Sequence, residues 1–149
     1  MVEQEMNSEN NIHVNQLVAV VWSAMYAAKG MKDINHDGME FSNSANELKH
    51  GIYNSFRSKL GDFYKDLNEL FLSVKKSLYY EKLQKLLAAI NVDFQERMNS
   101  SIKNAGKEIL KDVDISTLFN VNRELYSYGK AIMFSVKDYL LNAADAKKI

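Results

Sequence analysis

The chain has 149 residues, enough for one domain with a sizeable core, and its 19 Lys and Arg balance 19 Asp and Glu. A net charge of zero argues against a general affinity for nucleic acid or anionic membrane, both of which call for a basic surplus. The absence of cysteine excludes disulfides, thiolate catalysis and cysteine-ligated zinc. Proline is also absent, where about one residue in twenty is ordinary, and long uninterrupted helices are expected in consequence.

Residues 1–11, "MVEQEMNSENN", are polar and acidic, which does not fit a secretory signal, and they are expected as a disordered lead-in to a single domain over 12–149. The uncharged run from Asn10 to Ala28 is interrupted by His13, Asn15 and Gln16. Its apolar centre is too short for a bilayer span, which takes about 20 residues, so the chain is expected to be soluble. Val14, Leu17, Val18, Val21, Met25, Ala28 and Met31 recur at three- and four-residue spacing. That spacing predicts a first helix from about Ile12 to Asn35 with this stripe toward the core. The stretch "DINHDG", Asp33 to Gly38, reads as the turn that stops it.

A second helix is predicted from the stripe Leu48, Ile52, Phe56, Leu60, Phe63, Leu67, Leu70, Phe71 and Val74, with Ser42 or Ser44 as its cap and Glu47 completing a capping box. Leu83, Leu86, Leu87, Ile90, Phe94, Met98, Ile102 and Ile109 mark a third. Asp114 and Ser116 offer caps for a fourth that carries Leu118, Val121, Leu125, Ile132, Val136 and Leu140. No window sustains the two-residue alternation of a strand. Gly51, Gly61, Gly106 and Gly129 fall in or near these helices and are read as close helix–helix contacts. Four helices of roughly 25 to 30 residues, joined by short connections, make an all-α antiparallel bundle.

Chemistry is sparse on this frame. "DINHDG" begins like a calcium loop, but the twelfth position is Ser44 where a bidentate glutamate is required. Glu47 and His50 form a Glu-x-x-His pair of the kind used in di-iron bundles, yet no second pair exists and the chain has only His13, His36 and His50. No Gly-x-Ser-x-Gly or His-Glu-x-x-His occurs, and Gly106-Lys107 lacks the rest of a phosphate loop. The tyrosines are read as core-edge residues with wet hydroxyls. Lys75, Lys76, Lys82 and Lys85 are taken as solvating a connection, and Asp62, Asp66 and Glu69 as a solvated face. The chain is expected not to be an enzyme.

Two segments go further. "AMYAAKGMKDINHDGMEFSNSANELK", from Ala24 to Lys49, resembles the first helix and turn of the PhoU family of bacterial phosphate regulation. "DISTLFNVNRELYSYGKAIMFSVKDYLL", from Asp114 to Leu141, is similar to the C-terminal segment of PhoU-like domains that follow the membrane part of sodium/phosphate cotransporters. The resemblance implies a cytosolic, non-catalytic regulatory module of a sodium-dependent phosphate transporter, held at the cytoplasmic face of the inner membrane when attached. Its implied partner is that membrane domain or another phosphate-regulation protein. PhoU-type proteins bind metal through a Glu/Asp-x-x-x-Asp motif on their first helix; here the second acid aligns with Asp33 and the first with Lys29, and a shifted motif, Asp33-x-x-x-Asp37, is available only if the first helix continues past Asn35. The alternative is a free-standing phosphotransfer bundle presenting His36 or His50.

A turn centred near residue 41 would set Asp33 level with residue 49. Asp33, Asp37, Glu47 and His50 would then gather as ligands for a divalent transition ion. PhoU proteins usually have six helices and this chain supplies four. An apolar face left uncovered is expected to drive formation of a homodimer.

Overall fold

The computed structural model describes residues 2–73, 76–105 and 110–149, with side chains over 10–73, 77–103 and 110–149. Four long helices build an all-α bundle: α1 (Val2–Ser42), α2 (Glu47–Phe71), α3 (Tyr79–Ala105) and α4 (Asp112–Leu140). A single 3-10 turn over Lys76–Leu78 leads into α3, and a short α5 (Ala143–Ala146) follows α4. Among the described residues there is no strand, and no helix is long and apolar enough to cross a membrane.

The helix α4 runs through the middle, packed along α1 on one side and α3 on the other, while α2 and α3 touch only sparsely. The pairing of α1 with α4 is antiparallel: Gln16 Nε2 donates to the Leu141 carbonyl, and Ser135 Oγ donates to the carbonyl of Val20. Small residues let the two axes approach. Ala27 and Gly30 are buried on α1, and a Cβ on Gly30 would stand 3.6 Å from Cβ of Tyr128. One core cluster joins Ala27, Ile34 and Phe41 of α1 to Phe56 of α2 and to Leu118, Val121 and Leu125 of α4. A second joins Leu67 and Leu70 of α2 to Leu83 of α3 and to Met133 and Val136 of α4. The Tyr64 and Tyr128 hydroxyls bond to each other across α2 and α4, and burial raises the Tyr64 phenol above its ordinary pKa.

Four local expectations change. The first helix is 41 residues long, about 61 Å at helical rise, beginning at Val2 rather than Ile12 and ending at Ser42 rather than Asn35. Most of the polar segment 1–11 is therefore helical, from Val2 onward. "DINHDG" is helix throughout, not a turn. Gly38 is buried there inside the helix, and a Cβ at that point would make ordinary contact with the Tyr53 ring at 3.7 Å, so the glycine is not a stop. Of the stripe read as core on α1, Met31 is part-buried against the core and the rest faces out. Val14, Leu17, Val18, Val21 and Met25 are exposed, while the face turned to α4 carries Ala27, Gly30, Ile34 and Phe41.

The cap of α2 is Asn46, not a serine: its side chain accepts from the backbone N–H groups of Leu48 and Lys49. Ser44 instead accepts from the Asn46 N–H and so braces that cap. On α4 the helix starts at Asp112, and Asp114 reaches back to accept from the Lys111 N–H. The same carboxylate pairs with Lys49, whose ammonium also lies 5.6 Å from the Phe41 ring centre, tying α1, α2 and α4 at one end of the bundle. Of the glycines expected at helix contacts, Gly129 packs on Ile90 at 3.5 Å, whereas Gly51 and Gly61 face open space. Gly106, Ile109, Val74, Lys75 and the side chain of Lys76 lie outside the described residues.

Candidate functional site

The four residues expected to hold a metal do not converge. No group of three or more His, Asp and Glu side chains among the described residues is placed to share an ion. The reason is the extra length of α1. The turn falls over residues 43–46, so its centre lies between residues 44 and 45 rather than at 41. Asp33 is then level with Phe56 instead of residue 49. The pairs that do meet follow this register: Gly38 with Tyr53, and Glu40 with Lys49 at 3.8 Å.

Asp33 stands over a cleft between α1 and α4 in the company of Lys29, Tyr26 and Lys130. Asp37 lies one turn on, part-buried, and Glu47 opens onto a different groove beside α3. The ring of His50 is 3.2 Å through Nδ1 from the Ser42 carbonyl, closing an orphan acceptor at the end of α1. His36 is exposed in the middle of α1. Metal chemistry does not fit this donor set as it stands.

The polar chemistry that the fold does assemble sits between α2 and α3, on a floor formed by α4. Because α2 and α3 hardly touch, the space between them opens as two adjoining cavities of about 200 and 410 Å³. Phe56, Lys59, Asp93 and Arg97 line both, so they form one groove. Its floor is apolar where Leu118, Leu125 and Gly129 of α4 show through.

One wall is a fixed network. Asn122 of α4, 0% exposed, donates through Nδ2 to Ser101 Oγ at 2.8 Å and accepts from Arg97 Nε at 3.2 Å. Ser101 in turn donates to the Arg97 carbonyl at 2.7 Å. The Arg97 guanidinium pairs with Asp93 one turn earlier on α3. Burial pushes Arg97 down to about 10, far enough above neutrality that it remains a cation and keeps this partner. The other carboxylate oxygen of Asp93 is buried with no hydrogen-bond partner among the described residues, and the Lys59 ammonium lies 3.3 Å from it as an ion pair.

The charges around this groove decide what it can accept. Glu47, Asp62, Asp66, Asp93 and Glu96 line it against only Lys59 and Arg97. The guanidinium is already taken by Asp93, so a free anion such as phosphate would meet repulsion along most of the rim. An apolar group flanked by N–H or cationic donors fits better: it gains the apolar floor, and its flanks meet the acidic rim. Asp62 and Asp66, expected as a plain solvated face, are exposed and also form one lip of this groove.

No family model matches this chain, nor does any curated protein or solved structure.

Sequence reasoning missed this groove because Arg97, Ser101 and Asn122 are polar. Their positions carried the signal. Arg97 and Ser101 continue the spacing of Ile90 and Phe94, and Asn122 lies between Leu118 and Leu125 on the inner face of α4. Polar side chains on an apolar stripe are buried ones, and buried ones must find partners.

Proposed function

We propose that this chain is a regulatory and interaction domain of a sodium-dependent phosphate transporter, PhoU-like and without catalytic chemistry of its own. The observation that carries the reading is the way the two resembling segments come together. Residues 24–49 and 114–141 form the antiparallel α1–α4 interface, closed at one end by the Lys49–Asp114 pair. The residues behind the resemblance thus contribute much of one of the two core clusters, which supports the reading.

The groove supports a protein partner over a phosphate ligand. Cytosolic loops of membrane proteins are enriched in Lys and Arg, and a short apolar segment with basic flanks complements an apolar floor with acidic lips. In this reading the domain docks such a loop of the transporter's membrane domain at the cytoplasmic face of the membrane. Phosphate status then acts on the transporter through that contact.

The test is phosphate uptake by cells carrying the transporter with and without this domain, grown starved of or replete in phosphate. The expected result is that removing the domain abolishes the difference in uptake between the two states, and that Asp62→Lys with Asp66→Lys does the same while the protein stays folded. Uptake unaltered in both states by removal would overturn the proposal.

A further inference from the structure

The outer face of α1 is apolar where nothing among the described residues covers it. Val14, Val18, Val21 and Met25 follow one another at intervals of four, three and four residues, flanked by Leu17 and Trp22, and all six are between 43% and 58% exposed. Carried on to the exposed Ala28, three residues further, the spacing averages 3.5 residues, the repeat of a two-helix seam rather than of a helix lying on a broad core. No charged residue occurs from Asn10 to Ala28, so nothing interrupts the seam. The six side chains expose on the order of 600 Å² together, at the upper limit of the apolar patches that monomeric proteins tolerate.

We infer that this face is the seam of a homodimer in which α1 pairs with α1 of a second copy, antiparallel. Three features select a second copy as the occupant. The stripe is self-complementary about a point between residues 19 and 20: reversal sets Val14 against Met25 of the mate and Val18 against its Val21, as a two-fold interface demands. The charges agree with the same reversal. Next to the stripe, reversal sets Glu9 level with residue 30 of the mate, beside Lys29, so acid lies by base at each edge of the seam; Asp33 and Asp37 fall farther out, level with residues 6 and 2. Last, two copies bury on the order of 1,200 Å² in the stripe alone, which reaches the range of stable interfaces. A parallel pair would set like charges together at each end.

The inference does not depend on the transporter reading and can fail without it. Light scattering on the full chain measures the mass directly. Twice the 17.1 kDa of one chain is expected for the wild type at high micromolar concentration. Val18→Glu with Val21→Glu changes only exposed positions, and should halve that mass while leaving helicity by circular dichroism intact. Asn54→Glu, on an exposed position of α2, serves as the control and should remain dimeric.

The chain has no cysteine, so orientation can be read by oxidative crosslinking. An equimolar mixture of Val18→Cys and Val21→Cys proteins should give mainly the mixed disulfide. A monomeric wild type, a dimer indifferent to the Val18→Glu/Val21→Glu change, or a predominance of the two self-paired disulfides would overturn the antiparallel seam.

Discussion

Asn122 is the residue whose removal the structure prices most clearly. It is completely buried and serves two partners: it accepts from Arg97 Nε and donates to Ser101 Oγ. In Asn122→Ala the Arg97 donor, part of a buried cation, loses its acceptor, which costs about 2 kcal/mol. Ser101 keeps its own bond to the Arg97 carbonyl and loses only an incoming donor, about 0.5 to 1 kcal/mol. The hole left by the amide adds about 1 kcal/mol, for a total near 3 to 4 kcal/mol.

Two companions separate these causes. Asn122→Leu fills the hole but strands the same partners, and should cost about 2 to 3 kcal/mol. Ser101→Ala strands only Asn122 Nδ2, since the serine's own bond goes back to its helix, and should cost about 1 to 2 kcal/mol. Urea unfolding followed by far-ultraviolet circular dichroism reads all three. With a slope of about 2 kcal/mol per molar, Asn122→Ala should move the midpoint down by about 1.5 to 2 M at unchanged slope. A loss under about 1 kcal/mol, or Ser101→Ala costing as much as Asn122→Ala, would refute the network as described.

Other outcomes follow from the same geometry. Lys49→Met removes the partner of Asp114, whose carboxylate is nearly buried, and should destabilise the fold by about 3 kcal/mol in the same assay; Lys49→Met with Asp114→Leu should restore part of that loss. Gly61 lies inside α2 with nothing within 4 Å of a would-be Cβ, so Gly61→Ala should stabilise by about 0.5 to 1 kcal/mol and raise the thermal midpoint by a few degrees. Asp145 has its carboxyl held below the usual value by hydrogen bonds from Lys148 and Asn142 and by the Lys148 charge. A depressed folded pKa means that the ordering of α5 is present above the unfolded value near 3.8 and is lost as pH falls through the lower folded value. Amide chemical shifts of Asp145 and Ala146 should follow that acid transition in the wild type and not in Asp145→Asn.

Helix number and the faces of α2, α3 and α4 were legible because their apolar residues have a single plausible inner side: Phe56, Leu67 and Leu70, then Leu83, then Leu118, Val121 and Leu125. On α1 the same reasoning pointed the wrong way. Its larger apolar residues form the outer stripe, and the inner face uses Ala27 and Gly30 because α4 approaches too closely for bulk. Periodicity alone cannot tell a face that packs through small residues from one that awaits a partner. The glycine of "DINHDG" misled for a related reason. Gly38 looks like a helix stop in sequence, but the helix runs through it, buried beside Tyr53. The metal set failed on arithmetic: seven more residues on α1 moved the turn and set Asp33 beside the wrong part of α2.

The α1–α4 pairing carries both the reading of the two segments and the outward turn of the α1 stripe, and its antiparallel register can be trapped. A Cβ at residue 30 would stand 3.6 Å from Cβ of Tyr128, within the span of an unstrained disulfide, and the chain has no other cysteine to compete. Gly30→Cys with Tyr128→Cys should therefore oxidise to one internal bridge, seen as faster migration without reductant and as two fewer protons by intact mass. Thiols that both remain reactive after oxidation, while circular dichroism shows the helices intact, would contradict the arrangement.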